Sequence, residues 1–204
     1  MHKKIIYICL NPLFSDQMQP RPTDENNNGN GKDQNPVSLR ERCFCASLKK
    51  DGTTVKKESP TTSDIIELVG GSNISWVDYF IDDFEKDSLK AATSMGFSEQ
   101  LVKALMSNPR SGYEDLEKEM GIFIPAILAK GFDIKLNPVL ILIKENVILT
   151  LHTAEVKRFF RIRRYAETLM KKLPRKAPKN DLLTIILIRI IDENNNRNFE
   201  HLLE

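Results

Sequence analysis

The stretch that decides the fold is 137–204, NPVLILIKENVILTLHTAEVKRFFRIRRYAETLMKKLPRKAPKNDLLTIILIRIIDENNNRNFEHLLE. It begins with two apolar runs, VLILI (139–143) and VILTL (147–151), each of strand length and apolar on both faces. Such runs belong to a sheet covered on both sides. Lys144-Glu145-Asn146 between them reads as a three-residue hairpin loop. The period then changes. From Ala154 to Leu173, the residues Val156, Phe159, Ile162, Ala166, Leu169, Met170 and Leu173 share one helical stripe, with Arg and Lys opposite. Pro174 and Pro178 punctuate a basic loop, and Asp181 is placed as the cap of a last helix. That helix carries Leu182, Leu183, Ile185, Ile186, Leu187, Ile188, Ile190 and Ile191. No single stripe holds all of them, so more than one side is expected to be covered. Asn194-Asn195-Asn196 weakens the helix by propensity, but Phe199, Leu202 and Leu203 resume its spacing.

Upstream, Arg42–Leu48 and Thr54–Lys57 flank the turn signal Lys49-Lys50-Asp51-Gly52 and read as two short strands. Ile65–Val69, closed by Gly70-Gly71, reads as a third, and Ile74–Ile81 as an extended, β-rich segment. Phe84, Leu89, Ala92 and Met95 suit a helix ended by Gly96; Ser98 caps another that turns Leu101, Val102, Leu105 and Met106 inward. Asn108-Pro109 and Ser111-Gly112 mark a loop, followed by long strands at Glu119–Ala129 and Ile134–Ile143. The fold class is therefore α/β, a mixed sheet between helical layers. Residues 15–36 are rich in Asn, Gly, Pro and Asp and hold little that packs, so 1–36 reads as an extension with a flexible linker. Residues 37–204 form the domain.

Composition narrows the function. Net charge is +2, but unevenly spread. Thr61–Gly121 holds 5 basic and 12 acidic residues, a net of −7, whereas Thr153–Asn180 holds 10 basic and 2 acidic, a net of +8. The asymmetry points to a surface that selects its partner. Cys9, Cys43 and Cys45 make no disulfide framework, and the pair at i, i+2 reads as small core residues in a reducing compartment. No run approaches the roughly 20 apolar residues of a membrane span. The start, MHKKIIYICLNPLF, has the basic end of a signal peptide but is interrupted by Asn11 and Pro12.

No phosphate loop, dinucleotide fingerprint or nucleophile elbow occurs, and no catalytic residue is assigned. His152, at a strand end, reads as a satisfied structural histidine; His2 and His201 sit near the termini. Asp82, Asp83, Glu85 and Asp87 read as a solvated helix start stabilised by the helix dipole, and Glu114, Asp115, Glu117 and Glu119 likewise. The basic tract (157–179: Lys157, Arg158, Arg161, Arg163, Arg164, Lys171, Lys172, Arg175, Lys176 and Lys179) reads as a solvated face or one meeting the acidic half of a neighbouring copy. Anionic lipid is the next alternative. Nucleic acid is not expected, because the helix shows few aromatics for base stacking, Tyr165 being the undecided case.

The order strand–KEN–strand ending in Thr150-Leu151-His152, then helix, basic loop and Leu182–Asp192 closing on HLLE, resembles the CorA family of magnesium and cobalt transporters, in their cytosolic N-terminal domain. ISWVDY (74–79) resembles that family's early Trp-containing strand, and 108–127 resembles its Arg-Pro loop and following strand. The resemblance covers roughly Phe44 to Glu204. It implies an α/β/α domain whose last helix begins a stalk at Arg197–Glu204, homopentameric assembly, a cytoplasmic-side position on the cell membrane, and control by divalent cations. The family's Gly-Met-Asn signature and two transmembrane helices are absent, so this chain is expected to lack the pore. Positions matching the family's inter-subunit carboxylates are Val102 and Lys103, neither an oxygen ligand for magnesium. The metal ligands therefore stay unknown, with magnesium or another divalent cation as the implied ion.

Overall fold

The computed structural model describes residues 42–107, 112–130, 133–156, 158–176 and 178–203. Expectations for the stretch up to Pro36, for the loop at 108–111, and for His2 and Lys157 fall outside them. Seven strands form one sheet: β1 (Cys43–Lys49), β2 (Thr54–Ser59), β3 (Ser72–Ile81), β4 (Gly112–Leu116), β5 (Glu119–Lys130), β6 (Asp133–Lys144) and β7 (Val147–Thr153). Their order is β2-β1-β3-β7-β6-β5-β4. Every neighbouring pair is antiparallel except β3 and β7, which run parallel in the middle.

Helices α1 (Ser63–Gly70), α2 (Phe84–Ser94) and α3 (Glu99–Met106) cover one face; α4 (Arg158–Lys172) and α5 (Pro178–Leu203) cover the other. The strands' period of two splits the core accordingly. Cys43, Cys45, Val77, Leu140, Leu142, Leu149 and Leu151 pack under α1–α3. Phe44, Trp76, Val139, Ile141, Ile143 and Ile148 pack against Phe159, Ala166, Leu182, Ile186 and Ile190. Both cysteines are buried free thiols, as expected, and burial pushes them up to about 12 at Cys43 and about 11 at Cys45. They stay protonated and unreactive.

Several elements differ from the sequence-based expectation. The segment 65–69 is helix α1, not a strand: Ile65 and Val69, at i, i+4, turn inward while Ile66 faces water. A short apolar run has the same composition in either state, and helical spacing decided it. The acidic cluster at 114–119 is the β4–β5 hairpin, not a helix start. Its Glu119 carboxylate accepts the Ser98 N–H at 3.1–3.2 Å, satisfying a donor at the start of α3, while Ser98 Oγ caps Leu101 N as expected. The KEN loop is a two-residue turn, since Lys144 pairs with Val147 and Glu145 takes φ 39°. Asn146 Nδ2 donates to Val69 O and Ser72 O, both at 2.8 Å, and so ties this turn to the α1–β3 connection. Residues Ala154 and Glu155 form a turn, and α4 starts only at Arg158. Finally, α5 starts at Pro178, a favoured first helical residue, which leaves Asp181 inside the first turn instead of at the cap.

Candidate functional site

Two features of the α4–α5 face stand out: a buried ionic cluster, and a helix whose outer side is apolar. The cluster forms where ISWVDY and Thr150-Leu151-His152 meet. Parallel register sets Asp78 of β3 opposite Thr150 of β7, and Phe80 opposite His152. All four even-numbered side chains then point to the α4 side, into an apolar layer. Asp78 is wholly buried there. Its Oδ1 accepts from Thr150 Oγ1 at 2.5 Å and from the His152 ring at 2.9 Å. Its Oδ2 accepts from Arg163 Nε at 2.6 Å, and Arg163 Nη2 donates to the Asp78 carbonyl at 2.9 Å. Trp76 Nε1 donates to Thr150 Oγ1 at 3.2 Å, closing the network on the sheet side.

An ionised carboxylate is stable at such a depth only if it is paired and fully hydrogen-bonded. Burial raises the Asp78 pKa, but the Arg163 guanidinium, His152 and the hydrogen bonds outweigh it and hold the group down at about 2. Arg163 is itself enclosed by rings, its guanidinium carbon 4.1 Å from the Phe80 centroid and 5.2 Å from that of Phe44. The His152 ring packs 4.9 Å from Phe80 and 4.8 Å from Phe159. Its second ring nitrogen faces Thr153 O at 2.9 Å. His152 is thus the satisfied structural histidine that was expected. Arg163 is not the solvated residue that was expected: it fastens α4 to the centre of the sheet. Asp78 had no assigned role in the sequence reading, although it stands inside a quoted motif. The available signal was a lone acid in an otherwise apolar, aromatic strand, which a buried base must match.

The apolar side of α5 is only partly used. Leu182, Ile186 and Ile190 are buried at i, i+4, i+8, with Leu183, Ile185 and Leu187 half-buried around them. Ile188 and Ile191 are 43% and 48% exposed. Within this chain one side of the helix is covered, not several. Further along, Asn194 does what its helix propensity hides. Its Oδ1 accepts from Ile127 N at 3.0 Å and its Nδ2 donates to Pro125 O at 3.1 Å. β4 pairs with β5 only as far as Phe123, so this side-chain amide continues the pairing along β5 past the end of β4.

The remaining candidates give less. Val102 is completely buried in the α1–α3 core, and Lys103 is an exposed cation bonded to Glu99 at 2.7 Å. Neither fits an oxygen-ligand site for a hard divalent cation. Among the described residues no group of three or more His, Cys, Asp or Glu side chains converges on one point. Asp83 caps α2 through Glu85 N and Lys86 N, which accounts for the acidic run there. A shallow depression of about 480 Å³ beside Gly96, Ser98, Glu117 and Lys144 is open to solvent. Arg164, Lys171, Lys172, Arg175 and Lys176 are exposed, as is Tyr165. Among the described residues no helix is long and apolar enough to cross a membrane.

No known family profile matches the sequence, and no curated protein sequence matches it. Solved structures do match. The complete CorA magnesium transporter of Methanocaldococcus jannaschii aligns with TM-score 0.54 and 20% identity, over 78% of this chain and 47% of that one. Its soluble domain aligns with TM-score 0.51 and 21% identity, over 78% and 60%. The ZntB cytoplasmic domain of Vibrio parahaemolyticus aligns with TM-score 0.51 and 12% identity, over 78% and 59%. This chain spans about half the length of the complete transporter it matches. Its seven-stranded mixed sheet between helical layers has the fold of the CorA soluble domain.

Proposed function

We propose that this chain is the cytosolic regulatory domain of a CorA-like divalent metal cation transporter, with magnesium or cobalt as the cargo. In this reading it has no catalytic role of its own. It sits on the cytoplasmic side of the cell membrane, assembles as a homo-oligomer, a pentamer by the resemblance, and reaches the membrane through a segment that continues α5. The observation that carries the proposal is the fold shared with the CorA and ZntB cytoplasmic domains, with a 26-residue terminal helix whose outer face keeps Ile188 and Ile191 in water. An apolar face of that kind suits a helix that meets other copies of itself. Since Val102 and Lys103 cannot hold magnesium, ion sensing would run through other residues than the family's usual pair.

The alternative is an interaction module whose basic tract engages anionic lipid or nucleic acid. Geometry separates its lipid form from the stalk reading. The basic loop lies at the N-terminal end of α5, and 26 helical residues extend about 39 Å away from it. If α5 runs towards a bilayer, the loop faces away from that bilayer.

The test is cation uptake by cells expressing the complete reading frame that contains residues 42–204. Uptake of magnesium or cobalt by a membrane-inserted product is the expected result. A frame that stops after Glu204, or a product that stays in the soluble fraction and changes no uptake, would overturn the proposal.

A further inference from the structure

The two ends of the sheet carry opposite charge. β2 and β4 are the terminal strands, six strand spacings apart, or about 29 Å. α4 lies over β1 and β2, where Thr54 Oγ1 donates to Glu167 at 3.4 Å and the Lys56 ammonium stands over Phe44. α5 lies over β5 at the opposite end, pinned by Asn194. At the first end Lys56, Lys57, Arg164, Lys171 and Lys172 are exposed, and Tyr165 is 64% exposed; Lys57 donates to Asp64 O on the α1 side. Glu58, Asp64 and Glu167 are the acids among them; Asp64 accepts from Ser59 Oγ of β2, and Glu167 is bonded to Lys171 at 3.0 Å, so bases still outnumber acids there. At the second end Asp115, Glu117, Asp181 and Asp192 are exposed, with Lys118 and Arg189 as the bases among them. Here Tyr113 is 56% exposed, and Ile188 and Ile191 lie on the outer side of α5.

We propose that copies of this chain associate head to tail, the basic β2–α4 edge of one docking on the acidic β4–α5 edge of the next. The inference rests on the homo-oligomeric reading above and supplies its surfaces. Each edge combines exposed apolar or aromatic side chains with charged ones, a composition found in protein interfaces. Both also end in a terminal strand of the sheet whose outer backbone edge pairs with no other strand among the described residues, an edge that needs covering. A two-fold dimer through either edge would set like charges against each other. Opposite edges require a heterologous contact, which closes into a ring when the rotation per copy allows it. Charge complementarity of this kind fixes register and is weakened by salt.

Sedimentation velocity of the complete 204-residue chain, at low and high ionic strength, tests it. The wild-type chain should associate at low salt and dissociate at high salt. Two variants reverse one edge each: Lys171→Glu with Lys172→Glu makes both edges acidic, and Asp115→Lys with Glu117→Lys makes both basic. All four positions are exposed and outside the buried cluster, and cooperative unfolding of each variant verifies its fold. Each variant alone should be monomeric, and an equimolar mixture should regain association. Association that persists in both separate variants would reject these surfaces yet keep the homo-oligomeric reading. A wild-type chain that is monomeric at every ionic strength would reject the inference, and the uptake assay then judges the transporter reading by itself.

Discussion

Replacing Asp78 by Asn tests whether the buried cluster holds the two layers together. The change keeps shape and removes one charge and one acceptor. The carboxylate receives Thr150 and His152 on one oxygen and Arg163 on the other, all within 2.9 Å. An amide has a single oxygen, so its NH₂ must face at least one of those donors. Arg163, only 5% exposed, loses the charge of the Asp78 carboxylate. Losing one partner of a buried pair costs about 3–5 kcal/mol. That is a large share of the roughly 5–15 kcal/mol by which domains are stable. Trp76, the single tryptophan, is buried and bonded to Thr150, so its fluorescence in urea reports the transition at the site itself. The expected result is a midpoint lowered by about 3 kcal/mol divided by the m-value, at unchanged m. Arg163→Met keeps most of the stem packing against Phe44 and Phe80 but takes the guanidinium from the wholly buried Asp78 carboxylate, so it too should cost about 3–5 kcal/mol. The double variant should cost less than the two single losses added together, because both charges of the pair are then removed together. A loss below about 1 kcal/mol for Asp78→Asn, or strict additivity in the cycle, would refute the reasoning.

Four other expectations follow from the same geometry. Asp78 falls from its ordinary 3.8 to about 2 on folding, so its contribution is complete above about pH 4 and is lost as the pH falls from 4 towards 2. That amounts to about 2 kcal/mol, read as acid destabilisation by urea titration across that window, and absent in Asp78→Asn. Ile186→Asp puts a charge at a fully buried position and should abolish cooperative folding, whereas Ile188→Asp, on the exposed side of α5, should leave stability within about 0.5 kcal/mol. Equal effects would contradict the one-sided burial of the helix. Gly121→Ala would set a Cβ 2.3 Å from Leu105 Cδ1 and 3.0 Å from Leu142 Cδ2, a crowding cost of about 1–3 kcal/mol in thermal or urea unfolding. A neutral variant would show that the contact between α3 and the sheet is loose. Millimolar magnesium should change the thermal midpoint no more than matched ionic strength does, given the surroundings of Val102 and Lys103; a specific rise of several degrees would show a site built from other residues.

The fold was legible wherever pattern and length agreed. The runs at 139–143 and 147–151 are apolar on both faces and exceed what a surface strand tolerates, and they became the centre of a two-sided sheet. The stripe from Val156 to Leu173 is wide, regular and opposed by charge, and all but Leu169 are buried as α4 packs down. Ambiguity entered with short elements. Five residues at 65–69 satisfy a strand and a helix equally, and only packing of Ile65 and Val69 beneath the sheet chose. The acidic stretch at 114–119 has poor strand propensity, yet pairing with β5 imposed the conformation.

The cluster and the edges were harder for a different reason. Each is made by pairing residues far apart in the chain, 72 positions for Asp78 with Thr150 and 85 for Asp78 with Arg163. A sequence read along its length sees a lone acid in one strand and one more arginine in a basic helix. Nothing local says that the arginine belongs to the acid and not to solvent. What selects Arg163 from the tract is its place on the helix: it follows the buried Ile162 and precedes the buried Ala166 by three, so it lies on the inward flank. Arg164, one position on, is turned outward to the basic edge. The same tract therefore does two jobs, one residue locking the helix to the sheet and its neighbours shaping a surface. Reversing charge at Lys171 and Lys172 should alter association without touching stability, and replacing Arg163 should do the opposite.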